Sequence, residues 1–506
     1  MATELPACRS VLAWALGPAP ALDAAVARFG RLFAEDVVST SVEDGIAVMA
    51  ATDRPVDLSG DVVWGTPSGV HVELPRDRVA RTSAHLVHTL KTARGAVTAF
   101  ATRGVAAVVV AGVPLRLVAE RAPELLLYDF VLGDDELLDG VTVLEEASVV
   151  QGTEVRSWSP REGRLAPGPP TRAAQLVDAV GDLAASVTER DWLGATAGRD
   201  SALVVRALAA RGVRGQAFTL GWPGFDDADV GASVAREVGW RHEIAAVTPL
   251  RAESAWTAIV DASLSLEGVV NPRPIALGPL DWDRRGVTWF SGHGGEIGRA
   301  FYWATRTEDE PRSALLRRIP ATIPAPARAT IEARIDVELA RGDALGRRGV
   351  DGLDAFYALN RMRKWVGRVR PYEQIDHFWP AYLGPDLVRL LLDIPAPSRA
   401  DASVFDEALA LVGHRPATPA APPTPTASPT KRRWFRRGTP ATGDWPALAA
   451  TLAAMGPPER VVLPQMGGAW WDAVTARART HSASQRMVWN VIGVEAFAEW
   501  CERVKV

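Results

Sequence analysis

The sequence has little cysteine, little lysine and no long apolar run. Its 506 residues include two cysteines, Cys8 and Cys501, near opposite ends of the chain. This excludes a disulfide scaffold and a cysteine-rich zinc site, and it is typical of a reducing cytosol. No apolar run reaches the ~18 residues of a membrane span. We therefore expect a cytoplasmic protein without a membrane segment.

Lysine occurs only at Lys91, Lys364, Lys431 and Lys505, and none of these follows a glycine. A phosphate-binding G-x-x-x-x-G-K-[ST] loop is thereby excluded. The net charge of −4 and the pI near 6.1 provide no basic field for nucleic acid. The remaining composition, 47% apolar and 23% charged, is that of a globular protein. Its length suggests roughly two or three domains.

A loop around Gly198 predicts a strand, a tight turn and a helix. The apolar run 192–196 precedes it, and the amphipathic run 202–212 follows it. Free N–H groups at the start of a helix favour an anion. Ser201 can add a hydroxyl donor, and Asp200 can hold a metal ion that bridges phosphates. The loop is therefore a candidate phosphate cradle that lacks the usual lysine.

A second glycine-rich loop with one acidic residue follows another apolar run. It reads Ser291-Gly292-His293-Gly294-Gly295-Glu296. The alternation of strands and helices in this half of the chain predicts a parallel, doubly wound sheet. Loops at the carboxyl ends of such strands can face one ligand where the strand order reverses. We therefore expect the two loops to meet over a single ligand.

Both loops resemble those of one enzyme family. Thr196-Ala197-Gly198-Arg199-Asp200-Ser201 is similar to the Ser-Gly-Gly-x-Asp-Ser loop of PP-loop ATP pyrophosphatases. The second loop resembles the Ser-Gly-(Asp/Glu)-Gly-(Ala/Ser)-Asp loop of the asparagine synthetase family. The segments 217–221 and 226–237 are similar to that family's second strand and acidic segment.

The resemblance implies an α/β fold in two parts. Residues 1–165 are expected to form a degenerate glutaminase-like domain of the Ntn-type, amidotransferase-like α+β class. Residues 171–506 are expected to form a doubly wound parallel sheet of the PP-loop, adenine nucleotide alpha hydrolase-like type, with a helical cap. The Pro-Gly-Pro-Pro stretch 167–170 is the expected boundary.

The glutaminase domain of that family carries a cysteine nucleophile directly after the initiator methionine, but here the residue is Ala2. Either Cys8 becomes the terminus of a trimmed chain, or Cys8 is a core residue of a domain that has lost its chemistry. We favour the second interpretation, because buried free cysteine is common and the nucleophile needs an adjacent α-amine. The chain is then expected to take its amine from a source other than glutamine.

Hydrophobic patterns locate further elements. β-rich runs lie at 45–50, 62–64, 97–101 and 105–113, and residues 78–92 have the pattern of an amphipathic helix.

In the second half of the chain, strands are predicted at 213–220 and 242–247, and a mainly helical region at 314–392. Residues 361–365 either resemble the family's cap over the nucleotide or form a solvated arginine-rich helix face.

Residues 416–430 are a run of Pro, Ala, Thr and Ser that predicts a disordered or polyproline-like insertion. The basic-aromatic cluster 431–438 follows directly. The resemblance implies that Lys431 grips pyrophosphate. The alternatives are a nucleic-acid or membrane patch, a basic flank that keeps the linker soluble, and a partner-docking segment.

The resemblance also implies a set of site residues, with ATP and Mg²⁺ as the cofactors. Mg²⁺ would lie on Asp200 and Glu296. The catalytic candidates are His293 and Lys431. The nucleotide-binding candidates are the phosphate-side residues Thr196, Ala197, Gly198, Asp200 and Ser201 and the adenine- and ribose-side residues Leu220, Ser291 and Gly292.

Three departures from the family pattern affect these roles. Ala197 replaces a glycine, and Glu296 is one methylene longer than the usual aspartate. His293 stands where the family has an acidic base, and it is either the base or a hydrogen-bonding residue.

The resemblance thus implies an ATP-dependent, AMP-forming amide ligase of asparagine synthase-like type, which is expected not to use glutamine. It would adenylate a small-molecule or peptide carboxylate and transfer it to an amine. The expected products include asparagine, a cyclised peptide or an amidated natural product or polysaccharide. The alternative is a catalytically degenerate relative that binds a nucleotide or a partner. We expect no nucleic-acid or membrane partner, and either a homodimer or a complex with a pathway protein.

Overall fold

A computed structural model describes most of the chain. The described residues are 10–34, 36–52, 55–58, 62–66, 69–74, 79–82, 90–144, 148–151, 154–157, 171–221, 226–246, 251–268, 284–302, 310–366, 375–413 and 445–504. In these ranges the protein is an α/β protein, as predicted, with antiparallel sheets in its N-terminal part and a parallel sheet in its C-terminal part. Within the same ranges, no helix is long and apolar enough to cross a membrane. The predicted boundary at 167–170 and the insertion at 416–430 lie outside the described residues.

Among the described residues, the N-terminal part contains two antiparallel sheets. The first has the order β2-β3-β1-β8-β7-β9 and the second the order β11-β10-β6-β5-β4. The strands are β1 (Ser10–Leu16), β2 (Val37–Glu43), β3 (Ile46–Thr52), β4 (Val62–Thr66), β5 (Gly69–Leu74), β6 (Val79–Thr82), β7 (Lys91–Arg94), β8 (Thr98–Ala101), β9 (Thr142–Val143), β10 (Ser148–Gln151) and β11 (Glu154–Ser157).

Two element predictions in this part are wrong. The run 105–113 was expected to be a strand, but Gly104–Ala111 is a helix that is buried along its whole length. A wholly apolar run has no period that separates a buried helix from a buried strand. The expected helix 78–92 is also wrong at both of its ends, where β6 and β7 lie, and residues 83–89 are outside the described residues. Sheet pairing overrides the local amphipathic pattern there.

Helices pack on the sheet that contains β1 and on the parallel sheet, and they make up most of the C-terminal part. They are α1 (Ala19–Leu32), α2 (Gly104–Ala111), α3 (Ala122–Tyr128), α4 (Arg172–Gly181), α5 (Arg199–Ala210), α6 (Asp226–Glu237), α7 (Ala255–Ser265), α8 (Pro311–Leu316), α9 (Ala325–Ala344), α10 (Val350–Phe356), α11 (Pro385–Leu392), α12 (Ala396–Asp401), α13 (Ser403–Leu411), α14 (Trp445–Met455), α15 (Val462–Met466), α16 (Gly468–Ala478) and α17 (Ser482–Arg503). The short 3₁₀ turns are Ala119–Arg121, Asp182–Ala185, Gly295–Arg299 and Ala381–Leu383, and Tyr357–Val366 is a π-helix.

The C-terminal sheet is parallel and has the order β14-β13-β12-β15-β16 in the described ranges. Its strands are β12 (Trp192–Gly194), β13 (Gln216–Gly221), β14 (Arg241–Ala246), β15 (Arg284–Ser291) and β16 (Ile375–Pro380). The chain order runs outward on one side of β12 and resumes on its other side with β15. The loops that follow β12 and β15 therefore lie at the point where the strand order reverses.

Both faces of this sheet are apolar, as a parallel sheet requires. Leu193, Ala217 and Phe290 belong to the main core of the molecule. Their chain neighbours Trp192, Phe218 and Trp289 form a separate cluster with Ala245. β16 was not predicted, since it lies inside the region 314–392 that was expected to be helical. Its short aromatic run was absorbed into the surrounding helical pattern.

Charged side chains join the N-terminal and C-terminal parts. The fully buried Arg363 pairs with Asp134 and donates to the carbonyl oxygen of Leu144 at 2.6 Å. Its neighbour Lys364 lies 3.7 Å from Glu136. Both cations are on the π-helix Tyr357–Val366, so this segment is fixed against the N-terminal part.

A buried carboxylate makes a second connection. Glu267 accepts hydrogen bonds from the backbone N–H groups of Gly104 (3.2 Å) and Val105 (2.7 Å) at the start of α2. We expect Glu267→Gln to lower the free energy of unfolding by about 1–2 kcal/mol, because an amide oxygen is a weaker acceptor at a helix N-terminus. Urea unfolding measures this, with the exposed Glu253→Gln as the matched control. Equal stability of the two variants would contradict the expectation.

Candidate functional site

The two glycine-rich loops touch each other directly. A Cβ atom built on Gly292 would lie 2.6 Å from the backbone nitrogen of Ser201, and one on Gly295 would lie 2.5 Å from Cγ of Asp200. Only glycine allows the second loop to approach the start of α5 this closely. The sequence prediction that the two loops meet therefore agrees with their placement.

Asp200 is the centre of this contact. It lies in the first turn of α5, and only 9% of its side chain is exposed. One carboxylate oxygen, Oδ2, pairs with the guanidinium of Arg299. The other, Oδ1, is buried and has no hydrogen-bond partner among the described residues. The hydroxyl of Tyr382 donates to the Asp200 carbonyl oxygen at 2.9 Å, which fixes the backbone as well.

Burial is the main reason that the pKa of Asp200 is raised to about 6; the positive charge of Arg299 limits this rise, and the negative charge of Glu296 adds to it. Glu296 therefore lies close enough to Asp200 for the two carboxylates to repel each other. Its Oε2 atom accepts a hydrogen bond from the backbone N–H of Gly294 at 3.0 Å. The site thus holds two neighbouring carboxylates, one of which pairs with the guanidinium of Arg299.

The first loop is held by hydrogen bonds within itself. The Ser201 hydroxyl accepts from the Thr196 backbone N–H at 3.2 Å, and the two hydroxyl oxygens lie 2.9 Å apart. The backbone N–H of Gly198 donates to the Thr196 hydroxyl at 3.1 Å. These bonds give the turn between β12 and α5 a fixed shape.

The backbone N–H of Ala197 has a partner from another element. It donates to Oδ1 of Asp227, in the first turn of α6, at 3.1 Å. Helix α6 comes this close because a Cβ on Gly231 would lie only 2.5 Å from both the Ala195 carbonyl oxygen and the Thr219 hydroxyl. The Asp227 carboxylate thus accepts a hydrogen bond from an N–H group that was predicted to bind phosphate.

His293 lies on the other side of the second loop. Its Nδ1 atom is 2.9 Å from the Ser291 hydroxyl oxygen, and its ring packs against Phe378 and Trp365, with centroids 5.7 and 6.3 Å away. Burial lowers the pKa of His293, and Arg361 lowers it too, although Glu296 opposes them. The imidazole is therefore neutral at neutral pH, which is the form that accepts a proton.

The remaining predicted residues lie in different places. Leu220 packs against the Trp192, Phe218, Ala245 and Trp289 cluster on one face of the sheet. Lys431 lies outside the described residues. No group of three or more His, Cys, Asp or Glu side chains that could hold a metal ion occurs in the described ranges.

The structure places at this site three residues that had no predicted role, Arg299, Tyr382 and Asp227, and it also places there Arg361 of the segment 361–365. Arg299 ends the 3₁₀ turn that begins at Gly295, and its position three residues after Glu296 is the one local signal. Tyr382 follows the unpredicted strand β16, so no local pattern pointed to it. Asp227 lies in the acidic segment noted above, where no role was assigned to it.

The basic segment 361–365 fits neither of its two predicted descriptions completely. Arg363 and Lys364 are buried against the N-terminal part, so they do not form a solvated face. Arg361 stacks on Trp365, with its guanidinium carbon 4.7 Å from the ring centroid, and on Phe301 at 5.4 Å. It therefore lies beside the second loop.

Comparison with protein-family models found no matching model, and comparison with curated protein sequences found no matching protein. The function of this site is therefore inferred from its geometry and from the resemblance of its two loops.

Proposed function

We propose that the C-terminal part binds ATP at the two loops and uses it to join a carboxylate to an amine, with AMP and pyrophosphate as products. The observation that carries the proposal is the contact of Gly292 and Gly295 with Asp200 and Ser201 where the strand order of a parallel sheet reverses. Ligands of open α/β sheets bind in this position. The resemblance to PP-loop ATP pyrophosphatases and to asparagine synthetases supports the same function.

The phosphates would lie at the N-terminus of α5. Free N–H groups and the dipole of this 12-residue helix favour negative charge there. Thr196, Ala197, Gly198 and Ser201 would contact phosphate oxygens, and Leu220, Ser291 and Gly292 the adenine and ribose. The Asp227 carboxylate would have to leave the Ala197 N–H when a phosphate binds, since both are anions.

The reacting groups would lie beside the second loop. A neutral His293 can take the proton that an attacking amine loses, and its hydrogen bond to Ser291 orients the ring. Holding the acid, the amine and ATP together accounts for most of the rate in such reactions. Lys431 remains the proposed contact of pyrophosphate. The amine is proposed to come from a source other than glutamine.

A divalent cation shared by Asp200 and Glu296 does not fit the arrangement of these residues. Mg²⁺ requires carboxylate oxygens at about 2.1 Å in near-octahedral geometry. Here one oxygen of Asp200 is already paired with Arg299, whose positive charge would repel the ion. We therefore assign no step of the reaction to a metal on these two carboxylates.

The second candidate is a relative that binds a nucleotide or a partner without catalysis. Two observations favour it. The Ala197 N–H, which was predicted to bind phosphate, donates to Asp227 instead. Asp200, which was predicted to bind a metal ion, is paired with Arg299.

Turnover separates the two candidates. We expect the wild-type chain to bind N-methylanthraniloyl-ATP and to release pyrophosphate from ATP with some member of a panel of amino acids and peptides. Asp200→Asn should lower that release by about 100-fold, because Arg299 would lose the carboxylate that holds its guanidinium beside the phosphates. The matched control is Asp336→Asn, whose carboxylate pairs with Arg312 on an exposed surface.

The control variant should release pyrophosphate like the wild type. Nucleotide binding without pyrophosphate release across the panel would favour the second candidate. Absence of nucleotide binding would overturn both.

A further inference from the structure

Arg299 lies beside the two carboxylates that were predicted to share a metal ion. Its guanidinium pairs with Asp200, and 30% of its side chain is exposed. The backbone before and after Arg299 has a defined conformation. Arg299 ends the 3₁₀ turn Gly295–Arg299, and the next residue, Ala300, has a left-handed φ of 49°.

The guanidinium also interacts with the second carboxylate. The negative charges of Asp200 and then Glu296 raise the pKa of Arg299, although burial opposes them. Arg299 therefore stabilises two acidic groups that would otherwise repel each other in a largely buried place. A metal ion would have the same effect on them.

This ion pair itself contains two polar atoms without a hydrogen-bond partner. The Nε atom of Arg299 and the Oδ1 atom of Asp200 are both buried and have no hydrogen-bond partner among the described residues. The Asp200 side chain is more than nine-tenths buried. A planar guanidinium with an unused N–H beside a helix N-terminus matches an anionic oxygen of a phosphate group.

We infer that Arg299 is the resident cation of this site: it excludes a divalent ion from Asp200 and Glu296, and it offers the unused N–H of its Nε atom to a phosphate or pyrophosphate ligand. The inference rests on the proposed function for its ligand, but not for the exclusion of metal. Arg299 is thus a specificity-determining residue that replaces a metal ion by a side chain.

Mn²⁺ binding to the nucleotide-free full chain tests the exclusion directly, with electron paramagnetic resonance as the readout. The wild type should have no Mn²⁺ site that depends on Asp200. Arg299→Met should create a stoichiometric site, and adding Asp200→Asn should remove it. Arg299→Lys should behave like the wild type, because it keeps the charge.

Arg312→Met is the matched control, since Arg312 also lies between two carboxylates, Asp336 at 2.7 Å and Glu332 at 3.6 Å, but on the surface. It should create no site that depends on Asp200. A wild-type Mn²⁺ site that Asp200→Asn abolishes would overturn the inference. So would a folded Arg299→Met chain without such a site, and Arg299→Gln provides the same test if the methionine variant does not fold.

Inorganic pyrophosphate tests the second half of the inference. The wild type should bind it equally well with EDTA and with Mg²⁺, and Arg299→Met should bind it about tenfold more weakly in EDTA, as expected for a lost charge-assisted contact. Wild-type binding that disappears in EDTA would overturn the inference. If pyrophosphate does not bind under either condition, the proposed function fails, and the Mn²⁺ experiment still decides whether Arg299 excludes the metal.

Discussion

Replacing Gly292 by alanine is expected to abolish nucleotide binding. The added Cβ would lie 2.6 Å from the nitrogen and 2.9 Å from Cα of Ser201. These are backbone atoms in the first turn of α5, so no rotation of a side chain can relieve the clash. The two loops must move apart, and a displacement of about 1 Å in such a site costs about 100-fold. Titration with N-methylanthraniloyl-ATP measures the loss.

Gly384→Ala is the matched control for this variant. Gly384 precedes α11 with an ordinary φ of −66°, and a Cβ there would meet nothing within 4 Å. It should bind the nucleotide like the wild type. Gly292→Ala should also lose about 1–3 kcal/mol of stability, as overpacked variants do. An unchanged nucleotide affinity in folded Gly292→Ala would mean that the loop contact is not where the ligand binds.

The largest expected effect on stability comes from Arg399. Its Nε atom lies 2.8 Å from Oδ2 of Asp354, and each side chain is only 1% exposed. Arg399 also donates to the carbonyl oxygen of Leu392 at 3.0 Å. Arg399→Met would leave a buried carboxylate without its counter-charge, so we expect the free energy of unfolding to fall by about 3–5 kcal/mol near pH 8. Urea unfolding measures it.

This loss should be smaller near pH 5. Burial raises the pKa of Asp354 to about 7, while Arg399 lowers it, so removing Arg399 makes the carboxyl easier to protonate. A carboxyl whose folded-state pKa is raised stabilises the fold at acid pH, and this contribution is lost as the pH rises through about 7. The variant can avoid a buried charge by binding a proton at acid pH, and this becomes less favourable as the pH rises.

Two further variants complete this experiment. Replacing both partners, Arg399→Met with Asp354→Leu, should restore most of the lost stability, because no unpaired charge remains. Arg312→Met, which removes an exposed pair with Asp336, should change stability by less than about 1 kcal/mol. A pH-independent loss in Arg399→Met would show that packing, rather than the charge of Asp354, accounts for the effect.

Local sequence patterns predicted the elements that carry the site. The run before Gly198, the amphipathic helix after it and the strands near 216 and 241 lie close to their expected positions, because a parallel sheet buried on both faces produces apolar runs separated by helices. β16 and α2 could not be predicted in the same way. α2 is a wholly apolar run and β16 contains a short aromatic run, and the conformation of each is decided by the sheet or helix packed against it.

The residues of the site likewise divide into those that local sequence patterns predict and those that depend on packing between elements. Asp200, Ser201 and the glycines follow strands and could be found from spacing. Arg299, Arg361 and Tyr382 take part through contacts between elements distant in the chain, such as the hydrogen bond between Tyr382 and Asp200. Whether a guanidinium or a metal ion lies on Asp200 depends on the conformation of a 3₁₀ turn, which spacing alone does not specify.

The π-helix Tyr357–Val366 has a consequence for how the chain can be divided. One of its arginines, Arg361, stacks beside the second loop, and Arg363, two residues later, is held by Asp134 of the other half of the chain. A fragment that begins at α4 would carry the whole parallel sheet but would expose two desolvated cations, Arg363 and Lys364. The aromatic and basic side chains beside His293 thus lie on a segment that both halves hold in place, so neither half can be exchanged for a foreign domain without rebuilding this segment.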